Sequence, residues 1–202
     1  MWRRGILVGA MLALVAAGCS SSNKSVTASP GAETPSACNG AGQTGATAAI
    51  ETNLGCIVIS LDTKNAPKAA GRFISLAKSG FYDGLTFHRV VPEFVIQGGD
   101  PNGDGSGGSG KPPVVGETPK DGYPIGSLAA AKKGSDPDGT FDSQFFIVTG
   151  AQGTQLPPQY ARFGHVVVGM DVAKKIEALA PPGGDGPPTQ KVTMKKVTIS
   201  GA

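Results

Sequence analysis

The sequence predicts a mainly β domain, either a barrel or a sandwich, that carries two helices. Short apolar runs recur along the chain between turn signals, whereas only two stretches have apolar residues at helical spacing. The 202 residues include 31 Gly and 16 Pro, which indicates many turns. Many short strands with so few helices favour a barrel or sandwich over an α/β sheet.

The pattern begins with a predicted hairpin. Residues 48–52 and 56–61 read as strands, and residues 53–55 form a short turn-like link between them. In the second strand, Ile57, Ile59 and Leu61 share one face and Val58 lies on the other. We therefore expect this strand to be buried on both sides.

A helix follows the hairpin. Asn65 is the candidate N-cap, Pro67 suits an early helical position, and Gly80 suits the end. The apolar positions at helical spacing between them are Ala69, Ala70, Phe73, Leu76 and Ala77.

Further strands are predicted from the remaining apolar runs, at residues 86–91, 94–97, 127–131, 144–148 and 163–168. A second helix near residues 170–179 buries Val172, Ile176 and Leu179. In the final run, residues 192–199, apolar and polar residues alternate only if a bulge near Lys195 and Lys196 restores the register.

The first 18 residues read as a signal peptide. Arg3 and Arg4 precede an apolar run over residues 6–17, which at about 12 residues is too short for a membrane span of roughly 20. The run ends in residues 16–19, Ala-Ala-Gly-Cys, which resemble the lipobox of bacterial lipoproteins. The resemblance implies lipid on Cys19, as in a palmitate-bearing lipoprotein, and anchoring to the outer face of the cell membrane after export. The alternative is an ordinary cleaved signal peptide with an incidental cysteine.

Residues 19–46 are the predicted lipid-attachment cysteine and tether, because this stretch holds too few aliphatic side chains to form a core. The folded domain is predicted over residues 47–201. Cys38 and Cys56 either form a disulfide, as an oxidising compartment favours, or stay unpaired thiols. Without Arg3 and Arg4, 16 basic residues face 15 acidic ones, which indicates no nucleic-acid partner.

Residues 87–101 concentrate polar groups among apolar ones, with a glycine-rich stretch after them. Asp100 opens a run that looks like an EF-hand calcium loop, but position twelve is Lys111 instead of Glu and no helices flank it. No zinc-ligand spacing occurs, so we expect no metal and no cofactor. His88 and His165 leave serine–histidine catalysis as an alternative, although no nucleophile elbow accompanies them.

Three blocks of the sequence resemble the cyclophilins. Residues 87–100 match Phe-His-Arg-x-x-Pro-x-Phe-x-x-Gln-Gly-Gly-Asp at every fixed position. Residues 126–131 with 143–147, and residues 163–167 with 169–172, are similar to two further family blocks and occur in the same order. The resemblance implies a closed eight-stranded antiparallel barrel capped by two helices. It also implies peptidyl-prolyl cis-trans isomerase activity on proline-containing polypeptides; we expect a monomer.

The resemblance assigns roles to individual residues. Arg89 is expected to donate to the prolyl nitrogen, although a surface ion pair is the alternative. Gln97 and Gln144 are expected to bind the substrate backbone, unless their hydrogen bonds are internal. The substrate backbone is expected to pass close to Gly105 and Ala131. The side chains expected to line the proline pocket are Phe94, Val95, Phe146, Leu156 and Tyr160.

Four positions depart from the common family pattern. Val95 stands where Met is frequent, Lys132 where Asn is frequent, Gln155 near the usual Trp, and Tyr160 where His is frequent. The loss of Trp predicts weak cyclosporin binding. A proline-peptide-binding or chaperone module with little turnover is the alternative to an isomerase.

Overall fold

The computed structural model describes Cys38 and residues 43–202. Within these residues, two α-helices, α1 (Pro67–Lys78) and α2 (Met170–Glu177), and a 3-10 helix (Ala151–Gln155) accompany ten strands. The strands are β1 (Thr47–Thr52), β2 (Gly55–Leu61), β3 (Thr86–Val91), β4 (Val95–Asp100), β5 (Val114–Val115), β6 (Ser127–Ala130), β7 (Thr140–Phe141), β8 (Phe145–Val148), β9 (Arg162–Val168) and β10 (Met194–Ser200).

Eight of the strands form one curled antiparallel sheet. Its strand order is β10-β1-β2-β9-β6-β8-β4-β3, and β5 pairs with β7 in a separate small ladder. Helix α1 packs against β5, β9 and β10, while α2 packs against β2, β3 and β4. The mainly β prediction with two helices is therefore confirmed.

The expected closed barrel is wrong, because the outer strands β3 and β10 share no ladder. The segment between α2 and β10 covers the free edge of β3 instead. Val90 N–H donates to Gly186 O at 2.8 Å, and Phe87 N–H donates to Val192 O at 3.0 Å. Pro187 and Pro188 lie between these points and lack the N–H groups that a continuous ladder needs. The sheet is consequently a half-barrel with a loop along one edge.

The first hairpin and the C-terminal bulge agree with the sequence pattern. Strands β1 and β2 pair from Thr47 opposite Ser60 to Thr52 opposite Gly55. Between β1 and β10, Glu51 faces Lys196 but Thr52 faces Met194, so Lys195 is the extra residue. The predicted bulge is confirmed at this position.

The start of α1 differs from the prediction. Ala66 occupies the N-cap position without a side-chain hydrogen bond, and the Asn65 amide donates to the Asp62 carboxylate instead. The carboxylate of Glu117 caps the helix from a distant loop, since it accepts from Lys68 N at 3.2 Å and Ala69 N at 3.3 Å. Asn65 is therefore not the cap, because a charged acceptor from another segment satisfies the free N–H groups.

Two apolar clusters fill the domain. The larger lies between the sheet and the helices, where Phe73 stacks on Tyr82 with ring centroids 4.9 Å apart. The smaller lies apart from this core and is built around Val95, Phe146 and Tyr123. Because strand side chains alternate between faces, β4 and β8 contribute to both clusters.

The N-terminal part of the described chain is tied to β2. Cys38 and Cys56 form a disulfide with Cα atoms 5.3 Å apart. The predicted signal peptide, Cys19 and most of the tether lie outside the described residues. Among the helices that the structure describes, none is long and apolar enough to cross a bilayer.

Candidate active site

A cavity of about 210 Å³ opens over the smaller apolar cluster. Its lining comes from strands β3, β4 and β8, from the turn between β3 and β4, from the two residues that follow β6 and from the segment that follows the 3-10 helix. The residues around it are Arg89, Phe94, Val95, Gln97, Ala131, Lys132, Phe146, Leu156 and Tyr160. The structure thus brings eight of the site residues expected from the sequence, together with Lys132, around one cavity, which we call the proline pocket.

Strand register sets the floor of the proline pocket. Val95 and Gln97 are two apart on β4 and therefore share a face. Gln97 lies opposite Phe146 of β8, which in turn lies opposite Ala129 of β6. Val95 and Phe146 are 2% and 5% exposed, so they form a rigid apolar surface.

Tyr123 fixes the aromatic wall and was not identified from the sequence. Its hydroxyl donates to Tyr160 O at 2.8 Å and accepts from Tyr160 N at 2.9 Å. The Tyr160 ring meets Phe146 edge to face with centroids 5.4 Å apart. Burial raises the pKa of Tyr123.

The turn between β3 and β4 presents Phe94 to the pocket. Glu93 holds a left-handed backbone with φ of 56°, which is unfavourable for a residue with a side chain. The buried carboxylate of Glu177 on α2 accepts from Glu93 N at 2.8 Å and from the Thr149 hydroxyl at 2.9 Å, and it forms an ion pair with Lys174. Helix α2 thereby stabilises the strained turn.

Arg89 lies on the polar side of the pocket. Its Nε and Nη2 donate to the two carboxylate oxygens of Asp185 at 2.7 and 2.8 Å, and its Nη1 donates to Gln97 Oε1 at 3.1 Å. The hydrogen bond from Arg89 is the main cause that lowers the pKa of Asp185. The ion pair considered as the alternative role of Arg89 is therefore present. The same guanidinium also lines the pocket.

The glutamines continue this hydrogen-bond chain into a neighbouring groove of about 520 Å³. Gln97 Nε2 donates to Gln144 Oε1 at 3.0 Å, and Gln144 Nε2 donates to the carbonyls of Gly105 and Gly107, both at 2.9 Å. Gln97 lines the pocket and the groove, whereas Gly105 and Gln144 line the groove only. Both glutamines thus hydrogen bond to protein groups in this structure, and their role towards a substrate stays a prediction.

The glycine-rich loop of the groove is organised by Asp100. The Asp100 carboxylate accepts from the backbone N–H groups of Asn102, Asp104 and Gly105. The Asp100 oxygens thus accept from the loop's own backbone N–H groups. The stretch of sequence that resembles a calcium loop therefore forms this hydrogen-bonded turn. Among residues 43–202, no hydrogen bond joins a serine hydroxyl to His88, whose ring nitrogens have no partner.

Lys132 and Gln155, two of the positions that depart from the family pattern, differ in their relation to the cavities. The Lys132 ammonium donates to Asp136 O at 3.1 Å and lies 5.9 Å from the Tyr160 ring centroid. Gln155 is exposed at the end of the 3-10 helix and lines neither the pocket nor the groove. Lys132 therefore shapes the boundary between the two cavities, and Gln155 does not contribute to either.

Comparison with known proteins gives the same assignment. The model of the family described as cyclophilin type peptidyl-prolyl cis-trans isomerase matches residues 47–199. Peptidyl-prolyl cis-trans isomerase ppi1 of Schizosaccharomyces pombe is 39% identical over 155 residues, which cover 74% of this chain and 97% of that protein. Peptidyl-prolyl cis-trans isomerase-like 1 of Gibberella zeae is 35% identical over 74% of this chain and 92% of its own length.

A solved structure is also similar. The cyclophilin type isomerase of Cryptosporidium parvum, crystallised in the presence of the dipeptide Ala-Pro, aligns with a TM-score of 0.64 at 31% identity. The alignment covers 76% of this chain and 98% of that one. The family match spans every residue of the pocket described above. The chain therefore belongs to the cyclophilin-type peptidyl-prolyl cis-trans isomerases and is an isomerase of this class.

Proposed function

We propose that the proline pocket binds the prolyl ring of an X-Pro segment while Arg89 donates to the prolyl nitrogen. Rotation about the X-Pro bond is slow because amide resonance creates a barrier of about 18–20 kcal/mol. In the twisted transition state the nitrogen loses conjugation and gains a lone pair. A donor aimed at this lone pair binds the transition state more tightly than the planar ground state, which accelerates rotation.

The observation that carries the proposal is a guanidinium that lines the pocket together with the apolar floor of Val95 and Phe146. An arginine fork has five N–H groups, and three of them donate to Asp185 and Gln97. One N–H remains on each of Nη1 and Nη2 for a substrate. The apolar surface of Val95 and Phe146 suits the hydrocarbon part of a prolyl ring.

Proline-containing polypeptides are the proposed substrate class. The related isomerase of Cryptosporidium parvum was crystallised in the presence of Ala-Pro. The neighbouring groove, reached past Gln97 and Ala131, offers space for residues adjoining the proline. Gln144 and the carbonyls of Gly105 and Gly107 lie along it and are the proposed partners for an extended peptide backbone.

Substitution of Arg89 tests the mechanism. We expect Arg89→Ala to lower kcat/KM for an Ala-Pro peptide by roughly 10²–10³-fold in a protease-coupled assay, the size of effect seen when a preorganised donor is removed. Arg162→Ala is the matched control, because Arg162 also pairs with an aspartate, Asp121, but lies outside the pocket. Equal rates for Arg89→Ala and the wild type would contradict the donor role.

We further propose that the isomerase acts on exported proteins from the outer face of the cell membrane, held by lipid on Cys19. The lipobox-like residues 16–19 support this proposal. A disulfide between Cys38 and Cys56 also suits an oxidising compartment. Two acyl chains give stable anchoring, whereas one gives only marginal binding.

Detergent phase partitioning of the full-length chain tests the anchor. We expect the wild-type protein to enter the detergent phase and Cys19→Ala to stay in the aqueous phase, since the lipid supplies the apolar surface. Isomerase activity serves as the control and is expected to be unchanged. Partitioning that does not depend on Cys19 would contradict the proposal.

A further inference from the structure

An aspartate from a distant loop holds the guanidinium in the proline pocket. Asp185 is 96 residues from Arg89 in the sequence and binds it through both carboxylate oxygens. We infer that Asp185 is a positioning residue of the isomerase, which fixes Arg89 in the orientation that donation requires. The inference rests on the proposed role of Arg89.

The loop that carries Asp185 is fixed on both sides of this residue. Gly184 N–H donates to Pro181 O at 2.8 Å, which closes a turn directly before Asp185. Gly186, directly after it, exchanges backbone hydrogen bonds with Val90, the neighbour of Arg89 on β3. Val90 and Gly186 form an antiparallel bridge, and Arg89 and Asp185 each lie one residue from it. The backbone therefore keeps the two residues close enough for their side chains to pair.

Both glycines beside Asp185 have backbone geometry that side chains rarely adopt. Gly184 has a φ of +81° and Gly186 a φ of +149°. Glycine takes these conformations without steric cost, so the loop can turn sharply on either side of the carboxylate. The two glycines therefore allow the loop to direct the Asp185 side chain towards Arg89 on β3.

The bidentate geometry explains why this contact matters for Arg89. An arginine side chain has several rotatable bonds, and the planar fork meets a carboxylate along one edge in a fixed plane. With Nε and Nη2 on Asp185, the remaining Nη1 edge is directed to Gln97 on the pocket floor. Asp185 and Gln97 together therefore fix both the position and the plane of the guanidinium.

The ion pair is too exposed to act mainly through stability. The side chains of Arg89 and Asp185 are 36% and 54% exposed, and ion pairs of this kind contribute little to folding. Misplacement of a catalytic group by about 1 Å can lower a rate by roughly 10²-fold. We therefore expect Asp185 to affect turnover far more than folding.

Kinetics of three variants test the inference in the protease-coupled assay. We expect Asp185→Ala to lower kcat/KM by roughly 10–100-fold, mainly through kcat because the donor acts in the transition state. Asp185→Asn keeps one oxygen acceptor and is expected to lose less activity. Asp121→Asn is the matched control, since it alters an aspartate–arginine pair outside the pocket. This variant is expected to retain wild-type kinetics.

A double-mutant cycle separates positioning from a general structural role. If Asp185 acts through Arg89, then adding Asp185→Ala to Arg89→Ala lowers kcat/KM no further. A further loss of the same size in that background would overturn the inference, as would full activity of Asp185→Ala. Melting temperatures within a few degrees of the wild type are expected for both Asp185 variants.

The outcomes also separate this inference from the proposed function. Wild-type activity of Arg89→Ala would remove the donor role itself. An inactive Arg89→Ala with a fully active Asp185→Ala would leave the donor role intact and overturn the positioning role alone.

Discussion

Individual side chains in the site satisfy one another's hydrogen bonds in a continuous chain. The chain runs from Asp185 through Arg89, Gln97 and Gln144 to the carbonyl of Gly105. Each polar group is held by the next, so few of them must reorient when a peptide binds. Fixed dipoles of this kind stabilise a transition state without the cost of reorganisation.

His88 is the residue next to this chain whose environment predicts a pH effect. It is 8% exposed and has no hydrogen-bond partner among the described residues. Burial lowers the pKa of His88; the Arg89 charge acts in the same direction, and the Asp100 and Asp104 carboxylates oppose it. The folded protein therefore disfavours the protonated imidazole, while the unfolded chain accepts a proton near pH 6.5.

We expect the free energy of unfolding to fall as the pH drops from about 6.5 towards the lower folded-state pKa of His88. One such group accounts for a slope of at most about 1.4 kcal/mol per pH unit. Urea unfolding between pH 7.5 and pH 5, compared with His88→Gln, measures this contribution. An identical pH slope for the two proteins would show that His88 is not the cause.

At the level of elements, α2 acts on the site through the turn between β3 and β4. Glu177 joins the helix to Glu93 and Thr149, and Phe94 follows directly in the pocket wall. Gly150 is needed beside this turn, because a Cβ there would lie 2.2 Å from the Glu93 Cα. The helix and the turn therefore form one unit.

We expect Glu177→Ala to destabilise the protein by about 1–3 kcal/mol, because it leaves a backbone N–H and a buried hydroxyl without their acceptor. Glu177→Gln keeps an oxygen for these bonds and should cost less. Asp171→Ala, which breaks the exposed pair with Lys175 on the same helix, is the control with a small expected loss. Chemical denaturation measures all three; equal losses for Glu177→Ala and Asp171→Ala would refute this account.

Local patterns predicted most strands and helices, because the alternation of apolar and polar residues and the helical spacing of apolar residues can both be read within a short stretch of sequence. The bounds of β3 and the bulge at Lys195 agree with the sequence. The ladder of β5 with β7 was missed, since two-residue strands carry no periodicity. Asn65 was wrong as a cap because Glu117, far along the chain, supplies the acceptor.

For the whole molecule, the sequence motifs predicted the pocket residues, whereas contacts between distant segments were not predictable. Asp185 lies in a loop rich in glycine and proline, where no periodic pattern marks a functional carboxylate. Tyr123 is distant in sequence from Tyr160, yet its hydroxyl bonds both backbone groups of that residue. The prediction of a closed barrel was also wrong, because a loop distant in sequence covers the edge of β3.

The loop along β3 has a consequence for association between molecules. An uncovered edge strand presents free N–H and C=O groups that can pair with strands of other chains. In this protein Gly186 pairs with both backbone groups of Val90, and Val192 O accepts from Phe87 N–H. Pro187 and Pro188 have no N–H groups that could donate to a strand of another molecule. The loop that carries Asp185 thus also protects the β3 edge of the half-barrel against pairing with strands of other molecules.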